Sequence, residues 1–125
     1  MSRILLIDDT PEIAELLSFS LRDRGYHVTS SGFTTDVNEL IAREHAAALV
    51  IDCSVYAMSE STFDMVRAHT THAALPVVII SDTPEQADAS LRERQAENVL
   101  LIPKPFTASQ VARALDQLLS QPTTG

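Results

Sequence analysis

Five short apolar runs, each followed by a segment with helical spacing, constrain the fold of this chain more than any other feature. The runs fall near 3–8, 26–30, 47–52, 76–81 and 98–103. Ile4-Leu5-Leu6-Ile7, Ala48-Leu49-Val50-Ile51 and Val77-Val78-Ile79-Ile80 are apolar at every position rather than at alternate ones. Apolar runs of this length alternating with helix-period segments are the pattern of strand and crossover helix in a parallel α/β sheet. In the first helical segment, 11–24, Ile13, Leu16, Leu17 and Leu21 form a stripe that ends at the helix-stopping Gly25. The last, 107–120, repeats the stripe with Val111, Ala114, Leu115, Leu118 and Leu119, and Thr107 is placed to cap it. The segment 35–45 offers Val37, Leu40 and Ile41. Two others are thinner: 59–71 carries Phe63 and Val66, and 84–95 has only Ala87 and Leu91 among many charges. A thin apolar face implies low local stability.

A length of 125 residues fits one domain over 1–120, which leaves the polar Gln121–Gly125 as a disordered tail or the stub of a linker. The net charge of −8 argues against a direct nucleic-acid partner and against an anionic membrane surface. No apolar run approaches the roughly 18 residues of a membrane span, and Met1-Ser2-Arg3 leads straight into a strand, so a cytoplasmic location is expected. Cys53 is the single cysteine and has no internal partner for a disulfide. The three glycines, Gly25, Gly32 and Gly125, form no phosphate-cradling loop. His69 and His72 share helical spacing but lack a nearby cysteine or carboxylate, and read as a solvated helix end.

The chemistry gathers at strand ends. Asp8 and Asp9 follow the first apolar run, Asp52 ends the third, Ser81 ends the fourth, and Lys104-Pro105 follows the fifth. In an open parallel sheet these positions share the carboxyl edge, where ligands bind. Each has an ordinary reading by itself. Asp9 could cap the helix that starts at Pro11, Asp52 and Ser81 could be turn residues, and Lys104 a surface lysine. Together they pose an electrostatic problem, since two unit charges 4 Å apart repel by about 4 kcal/mol at an effective dielectric near 20. Clustered carboxylates therefore take up protons or hold a cation, and all-oxygen ligation by few protein groups suits Mg²⁺.

In that order along the chain, Asp8-Asp9, Asp52, Ser81 and Lys104-Pro105-Phe106 resemble the receiver domain of two-component response regulators over about residues 1–120. The resemblance implies a flavodoxin-like, doubly wound sheet of five parallel strands in order 2-1-3-4-5 with five helices. It implies that Asp52 accepts a phosphoryl group from a sensor histidine kinase or phosphotransfer protein. Asp9 and Asp52 would ligate Mg²⁺ directly, with the Ser54 carbonyl, and Asp8 would act largely through water. Lys104 and Ser81 would contact the phosphoryl oxygens, and the output would be altered binding to a downstream protein, with homodimer formation left open. Such a domain is no enzyme beyond its own phosphorylation and dephosphorylation.

The chain departs from the family pattern in four places. The segment Cys53–Ser61 lacks the usual proline and glycine, Asp82 stands where a small residue is usual, and Leu101 replaces the switch aromatic. Ala96-Glu97-Asn98 precedes the fifth strand without the customary glycine. These differences set an alternative beside the first reading: a degenerate receiver acting as a phosphorylation-independent interaction module. A phosphatase of the haloacid-dehalogenase type fits less well, because its Asp-x-Asp motif would need an acid where Ser54 stands and lies after the first strand.

Overall fold

The computed structural model describes residues 2–120. Strands β1 (Arg3–Asp8), β2 (His27–Ser31), β3 (Ala48–Asp52), β4 (Val77–Ser81) and β5 (Val99–Pro103) alternate with helices α1 (Pro11–Asp23), α2 (Val37–Glu44), α3 (Tyr56–Ala68), α4 (Pro84–Glu93) and α5 (Ala108–Leu119). All neighbouring strands pair parallel, in the expected order β2-β1-β3-β4-β5. The expected tail, 121–125, lies outside the described residues.

The all-apolar runs become the inner strands because both faces of the sheet are covered. Leu5, Leu6, Ile7, Leu49, Val50, Ile51 and Val77 through Ile80 are fully buried. Alternation along each strand splits them into two cores. Leu6, Val50, Val78 and Ile80 pack with Leu17 and Leu21 of α1 and Val111 and Leu115 of α5. Leu5, Ile7, Leu49, Ile51, Val77 and Ile79 pack with Val37 and Ile41 of α2 and Phe63 and Val66 of α3.

Local signals explain most boundaries. Gly25 takes φ +95° after α1, a conformation that a side chain disfavours. The Thr107 hydroxyl accepts from the Gln110 amide while the Gln110 side chain accepts from the Thr107 amide, which closes a capping box on α5. The customary glycine before β5 is replaced by Asn98 in the left-handed region, φ +55°, which asparagine adopts more readily than most residues. Its side chain fixes the turn by donating to the Ala74 carbonyl at 3.1 Å.

Three expectations are corrected. Helix α3 starts at Tyr56 rather than at 59, because Tyr56 and Ser59 are buried and no residue of 53–61 needs positive φ, so the loop does without glycine. Along α1 the buried positions are Ala14, Leu17, Ser18 and Leu21, whereas Leu16 is 69% exposed. Its stripe is rotated one position from the one read in the sequence. His69 and His72 lie past the end of α3 and are not simply solvated. His72 is buried, stacks on His69 with ring centroids 4.4 Å apart, and shares a 2.7 Å hydrogen bond between Nδ1 and the Asn38 Oδ1 of α2. Burial, and then the His69 charge, hold its pKa below the ordinary value.

Candidate functional site

The register of the central strands builds the site. Asp8 of β1 lies directly beside Asp52 of β3, and Asp52 is paired in turn with Ile80 of β4. Side chains alternate between faces, so in-register neighbours project to the same side. Asp8 and Asp52 therefore rise together beyond Leu6 and Val50 at the carboxyl edge. Lys104 reaches the same place from β5, and its Nζ lies 3.0 Å from Asp52 Oδ1. The pair is well shielded, with the Asp52 side chain 2% and the Lys104 side chain 25% exposed. Burial disfavours the ammonium, but the hydrogen bond and charge of Asp52, then the charges of Asp82 and Asp8, more than offset it and hold the Lys104 pKa above its usual value. The Lys104–Pro105 peptide is cis.

Asp8 carries the electrostatic strain. Burial is the main cause, opposed by the Thr10 amide that donates to Oδ1 at 2.8 Å and reinforced by the charges of Asp52 and Asp9; its pKa is pushed up to about 6. Asp9 behaves oppositely. It caps nothing, for the N-cap of α1 is Thr10 without a side-chain hydrogen bond. Instead the Ser54 amide donates to both Asp9 oxygens, at 3.0 and 3.1 Å, and the Ser54 hydroxyl donates to Oδ2. Against a burial penalty, these donors hold the Asp9 pKa below the usual carboxylate value.

The expected meeting of three acids is thus realised by two adjacent carboxylates, with the third tied to the β3–α3 loop. Among the described residues no three carboxylate, imidazole or thiolate groups are drawn in tightly enough to cage an ion. The fit to a metal rests on other atoms. Asp8 Oδ2 and Asp52 Oδ2 are buried and without a hydrogen-bond partner. Two buried, unpaired anionic oxygens on adjacent strands are costly unless a cation completes them. Mg²⁺ suits the pair because it takes one or two carboxylates and keeps several waters.

Ser81 is buried at the end of β4, where its Oγ accepts from the Thr83 amide at 3.0 Å and lies 3.2 Å from the Thr83 hydroxyl. The roles of Ser54 as a side-chain donor to Asp9 and of Thr83 as the partner of Ser81 were not read from the sequence. A hydroxyl two residues after each strand end was the only available signal. Cys53, buried next to Asp52, has its thiol pushed up to about 11 by burial and is no nucleophile at neutral pH.

No family model matches the chain. The probable transcriptional regulatory protein TcrX of Mycobacterium tuberculosis is 28% identical over 119 residues, which are 93% of this chain and 49% of that protein. The chain therefore spans about half the length of that relative. Among solved structures, the receiver domain of the sensor histidine kinase PA1611 from Pseudomonas aeruginosa, with a magnesium ion coordinated in its active site cleft, superposes with a TM-score of 0.80. It is 22% identical and covers 96% of this chain and 98% of its own. The response regulator TrrA from Thermotoga maritima, in complex with Mg²⁺ and BeF, gives a TM-score of 0.77 at 19% identity, over 95% of this chain and 100% of its own. The chain has the fold of the receiver domains of response regulators.

Proposed function

We propose that this chain accepts a phosphoryl group on Asp52 from the phosphohistidine of a sensor histidine kinase or phosphotransfer protein and signals through altered binding to a downstream protein. The observation that carries the reading is the shielded Asp52–Lys104 pair at 3.0 Å with Asp52 Oδ2 and Asp8 Oδ2 left unpartnered beside it. A structural ion pair alone has no use for two orphaned oxygens.

Each residue then has a chemical task. An Asp52 oxygen attacks phosphorus, the P–N bond breaks, and the imidazole leaves with the electron pair and takes up a proton. Lys104, already 3.0 Å from Asp52 and firmly protonated, holds the nucleophile and then neutralises charge on the transferred group. Asp8, Asp9, Asp52 and the Ser54 carbonyl would hold Mg²⁺, which when bound supplies charge neutralisation and orientation at the phosphoryl oxygens. Ser81 turns its hydroxyl from Thr83 to a phosphoryl oxygen, which draws in the β4–α4 loop and shifts the population of the α4–β5–α5 face. The chain turns over no external substrate, works in the cytoplasm, and acts on protein partners rather than directly on nucleic acid or membrane. Among the described residues no helix is long and apolar enough to cross a membrane.

Incubation with Mg²⁺ and a small phosphodonor, followed by intact-mass measurement, tests the reading. A single phosphoryl adduct that disappears in Asp52→Asn is the expected result. No adduct on the native chain, or an unchanged adduct on Asp52→Asn, overturns it and leaves the interaction-only module as the better account.

A further inference from the structure

The acidic pocket has a fourth carboxylate at its rim. Asp82 follows the last residue of β4 and is held between two anchored neighbours. On one side the Ser81 carbonyl accepts from the Lys104 amide at 2.8 Å. On the other the Thr83 amide donates back to Ser81 Oγ at 3.0 Å. The Asp82 side chain itself is exposed. Its charge reaches the Lys104 ammonium that also pairs with Asp52. Nothing in the phosphoryl-transfer chemistry above uses it.

Charge balance gives it a consequence. The three carboxylates Asp8, Asp9 and Asp52 are balanced by Lys104 and one divalent cation, so a metal-loaded pocket without Asp82 is neutral. Asp82 tips that pocket to a net negative charge at its solvent-exposed β4–α4 side. Resting on the receiver reading, we propose that Asp82 is a specificity-determining residue that disfavours free, dianionic phosphodonors and so reserves Asp52 for a donor carried on a protein. A small donor meets the pocket with nothing to offset the repulsion. A phosphohistidine on a protein brings docking contacts that do.

The test compares the native chain, Asp82→Asn and Asp82→Ala with two donors at saturating Mg²⁺, reading the rate of phosphoryl adduct formation by intact mass. With acetyl phosphate the P–O bond to acetate breaks, acetate leaves with the electron pair, and the new P–O bond forms to Asp52; this donor is dianionic at neutral pH. Phosphoramidate carries one negative charge less because its nitrogen is protonated. Both variants are expected to react about fivefold faster than the native chain with acetyl phosphate and about twofold faster with phosphoramidate, an advantage that shrinks toward unity in about 0.5 M KCl. Asparagine matches aspartate in size, so a gain in Asp82→Ala alone would mean obstruction rather than repulsion and would overturn the proposal. Equal rates in all three proteins, or a gain that ignores salt and donor charge, would overturn it as well. Adduct on the native chain with an unchanged Asp82→Asn removes this inference alone. No adduct on any of the three removes the receiver reading together with it.

Discussion

The centre of the sheet and its β5 edge are built on different principles. Around β1, β3 and β4 the chain is stiff: Leu5, Leu6, Ile7, Leu49, Val50, Ile51 and Val77 through Ile80 are fully buried, and helices cover both faces. At the edge β5 is only partly buried over Val99–Leu101, and the neighbouring α4 buries just Ala87 and Ser90. What holds α4 is polar. Arg94 forms a two-pronged contact with Asp64 of α3 at 2.8 and 3.0 Å, reaches Glu60 at 3.3 Å, and donates to the Ser90 hydroxyl, which itself donates to Glu60. Apolar packing is lost gradually and everywhere, whereas a polar clamp can be released at one point by a modest change in charge or position. The paired carboxylates Asp8 and Asp52 sit in the stiff centre, and the element best able to move sits at the clamped edge.

Breaking the stiff half should cost most. Ile79 is fully buried against the α2 and α3 face, so Ile79→Ala should lose about 3 kcal/mol of global stability in a denaturant titration. A loss below about 1 kcal/mol would mean that the core collapses around the gap and that the two halves differ less than their burial suggests.

The acidic end predicts a smaller effect with a definite sign. The Asp8 carboxyl binds its proton more tightly when folded, with a pKa near 6 against an ordinary 3.8. The metal-free protein should therefore lose stability as pH rises from about 4 through about 6 and stay level above that. Asp8→Asn should remove the slope and raise metal-free stability at pH 7.5 by about 2 kcal/mol. Mg²⁺ should raise the melting temperature of the native chain at pH 7.5 but not at pH 5. A flat pH profile in the native chain would show that Asp8 is well solvated and would sharpen the site down to Asp52 and Lys104.

The clamp should cost least globally and most locally. Arg94→Ala should lower global stability by about 1 kcal/mol, the scale of a partly exposed charge network. Amide exchange over residues 84–94 should nevertheless accelerate well beyond that of β1 and β3. Uniform acceleration through the whole sheet would mean that α4 opens only with the entire molecule.

Sequence and structure agree where burial alone decides. The runs at Ile4–Ile7, Ala48–Ile51 and Val77–Ile80 read as parallel strands, and their ends locate Asp8, Asp52 and Ser81 at one edge of the sheet. Strand order was carried by resemblance, since periodicity does not say which strands are neighbours. What escaped the sequence is contact between polar groups far apart in the chain. Nothing local marks Asn38 as the partner of His72 or Arg94 as the tie to Asp64, and only a hydroxyl past the strand end hints at Ser54 as the donor to Asp9. The early start of α3 escaped because Ser59 and Thr62 are buried polar residues, with the Thr62 hydroxyl donating to the Met58 carbonyl, and they blur the apolar stripe. The left-handed Asn98 could have been anticipated, because a glycine-like turn was wanted there and asparagine is a common substitute.

The in-register pairing of Asp8 with Asp52 has a consequence for how the protein comes to be competent at all. A slip of one residue between β1 and β3 would send the two carboxylates to opposite sides of the sheet and leave each a lone, harmless acid. The paired-carboxylate site therefore does not exist in partial form during assembly. A nascent or misregistered chain lacks the paired carboxylates, and only a molecule whose central strands have locked in correct alignment presents the site proposed above to take a phosphoryl group.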